Sequence, residues 1–116
     1  MTKGIDRSAL VNLSDSVGEE FVGELIDTFE EEAPGLFEEM RRSLAAGDAD
    51  GFRRAAHSLK SNASTFGATR LAELAKELEL MARANDLNIG GRLENLNEEY
   101  KKAVIELKSF NESLQE

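Results

Sequence analysis

Phe52-Arg53-Arg54-Ala55-Ala56-His57-Ser58-Leu59-Lys60-Ser61-Asn62-Ala63-Ser64-Thr65-Phe66 is the stretch on which the reading of this chain turns. Its apolar residues recur three and four positions apart, the spacing of one helix face. At about 100° per residue, Phe52, Ala55, Ala56, Leu59, Ala63 and Phe66 cluster within roughly 60° of a single line. His57 falls about 140° from that line, off the core stripe. Arg53, Lys60, Ser61 and Ser64 share its face one or two turns away, and Arg54 flanks it on the other side. The one histidine of the sequence is therefore expected to be exposed, among cations and small hydroxyl residues.

Small neighbours leave open space above an imidazole. Cations within a turn attract an anion there and favour the neutral, nucleophilic ring. That combination suits phosphoryl transfer, whose loose transition state is served mainly by positioning and charge. An inert surface histidine fits the same pattern. A metal site is not expected: there is no second histidine, no cysteine, and no carboxylate on the local helix face. The glutamates farther upstream lie off their own apolar stripe and form no Glu-x-x-His pair, so they read as a solvated face. Serine catalysis with His57 as base lacks both an elbow glycine pattern and a triad.

Outward from this stretch, helical periodicity continues in both directions. Asp6 to Ser16 is a short segment carrying Leu10 and Leu13, closed by Gly18. Glu19 to Ala46 keeps one apolar phase from Phe21 to Leu44, and because the phase survives Pro34 a kink is expected there rather than a stop. Gly47-Asp48 supplies a C-terminal glycine and then an N-cap aspartate. Asp50 to Phe66, Ala68 to Ala84 and Arg92 to Leu114 complete the helices. No stretch alternates as a strand would. The expected fold is all-α: an antiparallel four-helix up-down bundle with a short N-terminal lid helix, one domain over residues 1–116.

Composition narrows the function. The 14 Lys and Arg residues against 23 Asp and Glu leave a net charge of −9, which argues against nucleic acid and against anionic lipid as partners. No apolar run approaches the roughly 20 residues of a membrane span, and Met1 to Gly18 has no signal-peptide core. Absence of cysteine fits a cytoplasmic protein. The charge is segregated: residues 19–42 hold nine carboxylates against Arg41 and Arg42, whereas residues 51–70 hold Arg53, Arg54, Lys60 and Arg70 with no carboxylate. A solvated face usually mixes signs, so this asymmetry marks the His57 helix.

His57-Ser58-Leu59-Lys60-Ser61-Asn62-Ala63, followed by Phe66-Gly67-Ala68 and by Leu71, Leu74 and Leu78-Glu79, resembles the signature of histidine-containing phosphotransfer (HPt) domains. Upstream, Phe21, Glu24-Leu25-Ile26, Phe29, Pro34 and Gly47-Asp48 match the family's long second helix. The resemblance runs from about Leu10 to Leu107 and rests on the motifs in combination, not on His-x-x-Lys alone. Serine at position 61, where most members carry glycine, leaves less room above His57.

The resemblance implies that His57 accepts a phosphoryl group at Nε2 from an aspartyl phosphate of a receiver domain and returns it to a receiver aspartate. Lys60 would help hold the phosphoryl oxygens. Mg²⁺ and the acidic pocket would belong to the receiver, and the chain itself would need no cofactor. No ATP-binding motif is present, so a carrier without autokinase activity is expected. The expected partners are response-regulator receivers or a hybrid histidine kinase, met by a monomer. Beginning at Met1 with one domain, the chain reads as a stand-alone relay protein. A helical adaptor that binds a receiver without transfer is the alternative. A kinase dimerisation region is disfavoured because its His-Glu-x-x-x-Pro box is missing. Phe21 and Leu25, with Thr28 beside them, form one edge of a wide apolar stripe; they either pack into the core or emerge near His57 as a docking patch.

Overall fold

The computed structural model describes residues 5–114, so the outermost residues of the expected 1–116 domain lie outside it. The described chain is all-helical: α1 (Arg7–Val17), α2 (Glu19–Ala46), α3 (Ala49–Thr65), α4 (Thr69–Arg83) and α5 (Arg92–Leu114). Each boundary lies within one residue of the periodicity reading.

Local chemistry explains the ends. The Asp6 carboxylate caps α1 by accepting from the Ser8 amide at 3.0 Å. Gly18, at φ 93°, turns the chain directly into α2. Gly47 closes α2 in the left-handed conformation, and Asp48 caps α3 by accepting from the Gly51 amide at 2.9 Å.

α2 runs through Pro34 as one helix. Proline has no N–H, so the Glu30 carbonyl four residues earlier loses its helical donor. The Tyr100 hydroxyl of α5 donates to that carbonyl at 3.3 Å. Tyr100 thus replaces what Pro34 removed, and burial, together with the charge of Glu30, raises its pKa.

Helices α2, α3, α4 and α5 pack in a closed ring, each on the next and α5 back on α2, while α1 lies against α2. The buried side chains make one core, with Phe52, Ile26, Met40, Leu59, Leu71, Leu78, Leu96 and Leu107 almost fully enclosed. Phe29 links Phe66 of α3 to Tyr100 of α5 through ring contacts at 5.3 and 5.6 Å.

Gly67 ties α1 to this frame. Its carbonyl accepts from the Asp6 amide at 2.6 Å. Its φ of +68° is left-handed, and a Cβ there would meet the Ala9 Cβ at 2.7 Å and the Asp6 carbonyl at 2.8 Å. Only glycine satisfies both constraints.

Candidate functional site

The N-cap Asp48 and the apolar stripe of α3 set the rotation of that helix, and the stripe is buried at Phe52, Ala55, Ala56, Leu59 and Ala63. The opposite face carries His57, whose side chain is 56% exposed. Ser61, Ser64 and Arg54 are also exposed, and Arg53 is half-buried. Arg53 is held by Asp50 at 2.7 Å and Arg54 by the same carboxylate at 3.4 Å. The arginines hold the Asp50 carboxyl below the usual carboxylate range, first through the Arg53 hydrogen bond.

One residue of the site stood in the family signature, as Leu78-Glu79, but was given no role there. Glu79 of α4 is 2% exposed and lies against both polar groups of the His57 face. Its Oε2 is 2.8 Å from His57 Nδ1, and its Oε1 accepts from Lys60 Nζ at 2.6 Å. Arg83, one turn farther along α4, donates from Nη2 to Oε2 at 3.3 Å. Burial pushes the Glu79 pKa up, but hydrogen bonds from Lys60 and His57 and their charges outweigh it, and the net shift is downward. An ionised carboxylate can only accept, so Nδ1 carries the imidazole proton. In the neutral ring Nε2 then keeps its lone pair.

This amends one expectation. The surroundings of His57 are not cations and hydroxyls alone, because α4 brings a carboxylate against a stretch, residues 51–70, that has none. Lys60 is 28% exposed and anchored on Glu79. A sequence signal for Glu79 existed. It follows Ala75 by four residues and precedes Ala82 by three, both small and buried, so it belongs to the edge of the α4 stripe.

The expected docking edge is not next to His57. A Cβ on Gly51 would meet the Ser43 hydroxyl, and Phe29 packs against Phe66 with the rings tilted, so α2 descends as α3 rises and Phe37 stands near the level of His57. Thr28 and Phe21 then lie about 14 and 24 Å away along the axis, at 1.5 Å per residue. Phe21 is 48% exposed, whereas Leu25 is half-buried against the core. Thr28 is exposed.

Among the described residues, no group of three or more His, Asp or Glu side chains converges as a metal site would, and no helix is long and apolar enough to cross a membrane.

The Hpt domain family matches residues 24–114, which include all of α3 and α4 and every member of the His57 constellation. The chain belongs to the HPt family. Its fold is also that of an HPt protein in crystal form. The histidine-containing phosphotransfer protein B (HptB) of Pseudomonas aeruginosa PAO1 superposes with a TM-score of 0.88 at 30% identity, over 97% of this chain and 98% of that one. No curated protein sequence matches. Membership gives the chain a histidine phosphotransfer role in a phosphorelay, and the Hpt match takes in both His57 and its buried partner Glu79.

Proposed function

We propose that His57 takes a phosphoryl group from a receiver-domain aspartyl phosphate and passes it to another receiver aspartate. The observation that carries this reading is the Glu79 carboxylate on Nδ1, which leaves Nε2 as the free nucleophile on an exposed face. In the forward step the Nε2 lone pair forms the N–P bond, the aspartyl O–P bond breaks, and its electron pair leaves on the aspartate. The ring then bears phosphoryl on Nε2 and a proton on Nδ1, a cation that Glu79 faces directly. In the return step the N–P pair goes back to Nε2 and a neutral imidazole departs. Loss of the Nδ1 proton would leave imidazolate as leaving group, a far poorer one. Glu79 therefore keeps the bond labile in both directions, a positioning role. Lys60, one turn from His57 and held on Glu79, would meet the developing charge on the phosphoryl oxygens, and small Ser61 and Ser64 leave the approach open.

On this reading the chain is a single-domain carrier with no autokinase activity and no cofactor of its own, and Mg²⁺ is supplied by the receiver. The helix pairings support an antiparallel up-down bundle of α2 to α5 with α1 as lid. A cytoplasmic monomer that binds neither nucleic acid nor membrane fits the acidic composition. Arg53 and Arg54 would meet the acidic pocket of the receiver, with Phe21, Leu25 and Thr28 extending the contact along α2.

Incubation with a phosphorylated receiver tests the proposal. Label should move to His57, ATP alone should give none, and folded His57→Gln should take none. Acid-labile label on folded His57→Gln would overturn the assignment.

A further inference from the structure

Oε2 of Glu79 is shared: it meets His57 Nδ1 at 2.8 Å and Arg83 Nη2 at 3.3 Å. Lys60 occupies the other carboxylate oxygen. Two cations are thus anchored on the carboxylate that orients the imidazole, one on each oxygen. Ser64 shares a cleft with Ala72, and His57 pairs with Glu79, so α3 and α4 advance in opposite directions and Arg83 stands level with Arg53. Helical side chains lean toward the N-terminus of their own helix. His57 therefore leans toward the level of Arg83, and Arg83 leans back toward His57. Its side chain is 61% exposed, and a guanidinium has five N–H donors, of which the Glu79 contact uses one.

We propose that Arg83 is a second phosphoryl ligand. It holds Glu79 while Nε2 is empty and reaches the phosphoryl oxygens when Nε2 is occupied, opposite Lys60. The planar donor fork suits phosphate oxygens, and a solvated cation can change partners at little cost. This rests on the carrier reading above and adds to it a residue from α4 that nothing in the α3 motif supplies.

The test uses the full chain with Arg83→Gln and Arg83→Lys and two donors. Phosphoramidate phosphorylates an accessible histidine with no receiver present, so it separates chemistry from docking. Arg83→Gln should slow labelling of His57 by about tenfold with both donors, less than the ~10²–10³ of a buried oxyanion donor because the guanidinium is solvated. The KM for the phosphorylated receiver should not change, and Arg83→Lys should recover part of the rate. Equal phosphoramidate rates for the wild type and Arg83→Gln would overturn the proposal. So would an effect confined to the receiver KM, which would make Arg83 a docking residue. Circular dichroism checks folding, and if Arg83→Gln unfolds, the Arg83→Lys rate decides. A wild-type chain that neither donor labels would instead sink the carrier reading itself.

Discussion

His57 Nδ1 and Glu79 Oε2 lie 2.8 Å apart although 22 residues separate them in the chain and they belong to different helices. The contact joins a half-exposed ring to a carboxylate that is 2% exposed. Its effect is to select one tautomer and one ring orientation before any partner arrives, and hydrogen bonds from Lys60 and His57 let the carboxylate stay ionised there against its burial.

Glu79→Gln keeps a hydrogen-bond acceptor for Nδ1 but removes the charge, whereas Glu79→Ala removes both. Single-turnover transfer from a phosphorylated receiver should fall in both variants, by about 10–100-fold in Glu79→Ala, the scale on which partners that orient a functional histidine act. Glu79→Gln should fall less. Equal wild-type rates in both would show that the carboxylate is only structural.

The same residue makes stability depend on pH. The folded-state pKa of Glu79 lies below its ordinary value of 4.5. Its contribution is therefore present above that value and is lost as pH falls from it through the lower folded pKa. Urea midpoints measured against pH should drop more steeply for the wild type than for Glu79→Gln below pH 4.5. Parallel curves would mean that the Lys60 and His57 contacts do not hold Glu79 ionised.

Tyr100→Phe should destabilise the fold by about 1 kcal/mol, since the Glu30 carbonyl loses its donor while Pro34 still offers none. Pro34→Ala returns an amide to that carbonyl. In the Pro34→Ala background the cost of Tyr100→Phe should nearly vanish. A double-mutant cycle by chemical denaturation measures this, and an additive cycle would show that the two residues do not serve the same carbonyl.

Phe21→Ala should leave the melting temperature almost unchanged, because the ring is 48% exposed, and should weaken receiver binding by about 1 kcal/mol or more if Phe21 anchors the contact. Leu25→Ala should cost stability as well, because Leu25 packs on the core. Calorimetric titration with a receiver separates them. Undiminished binding by Phe21→Ala would place the docking patch closer to His57, on α3 and the second half of α2. Association should also slow as salt rises, since Arg53 and Arg54 would face an acidic pocket.

Local sequence carried much of this. Three- and four-residue spacing located five helices, because burying one stripe per helix is the cheapest way to hide these apolar side chains. The same phase put His57 outside the stripe, and Gly18, Gly47 and Asp48 announced their turns through capping and left-handed chemistry. The absence of carboxylates from residues 51–70 set the His57 helix apart by charge.

What these side chains meet was out of reach of any single segment. Glu79 follows Leu78 in a helix where a glutamate beside a leucine ordinarily points to water. Only the pairing of α3 with α4 brings Lys60 and His57 onto it, and their hydrogen bonds and charges make the burial tolerable. The donor that Tyr100 gives to Glu30 crosses 70 residues. The distance of Phe21 from His57 depends on the level at which α2 meets α3, which helical phase does not encode. Phase fixes the direction a side chain takes around its own axis. What it meets there, and how far along, is decided by packing between helices, and that is where the chemistry of this site resides.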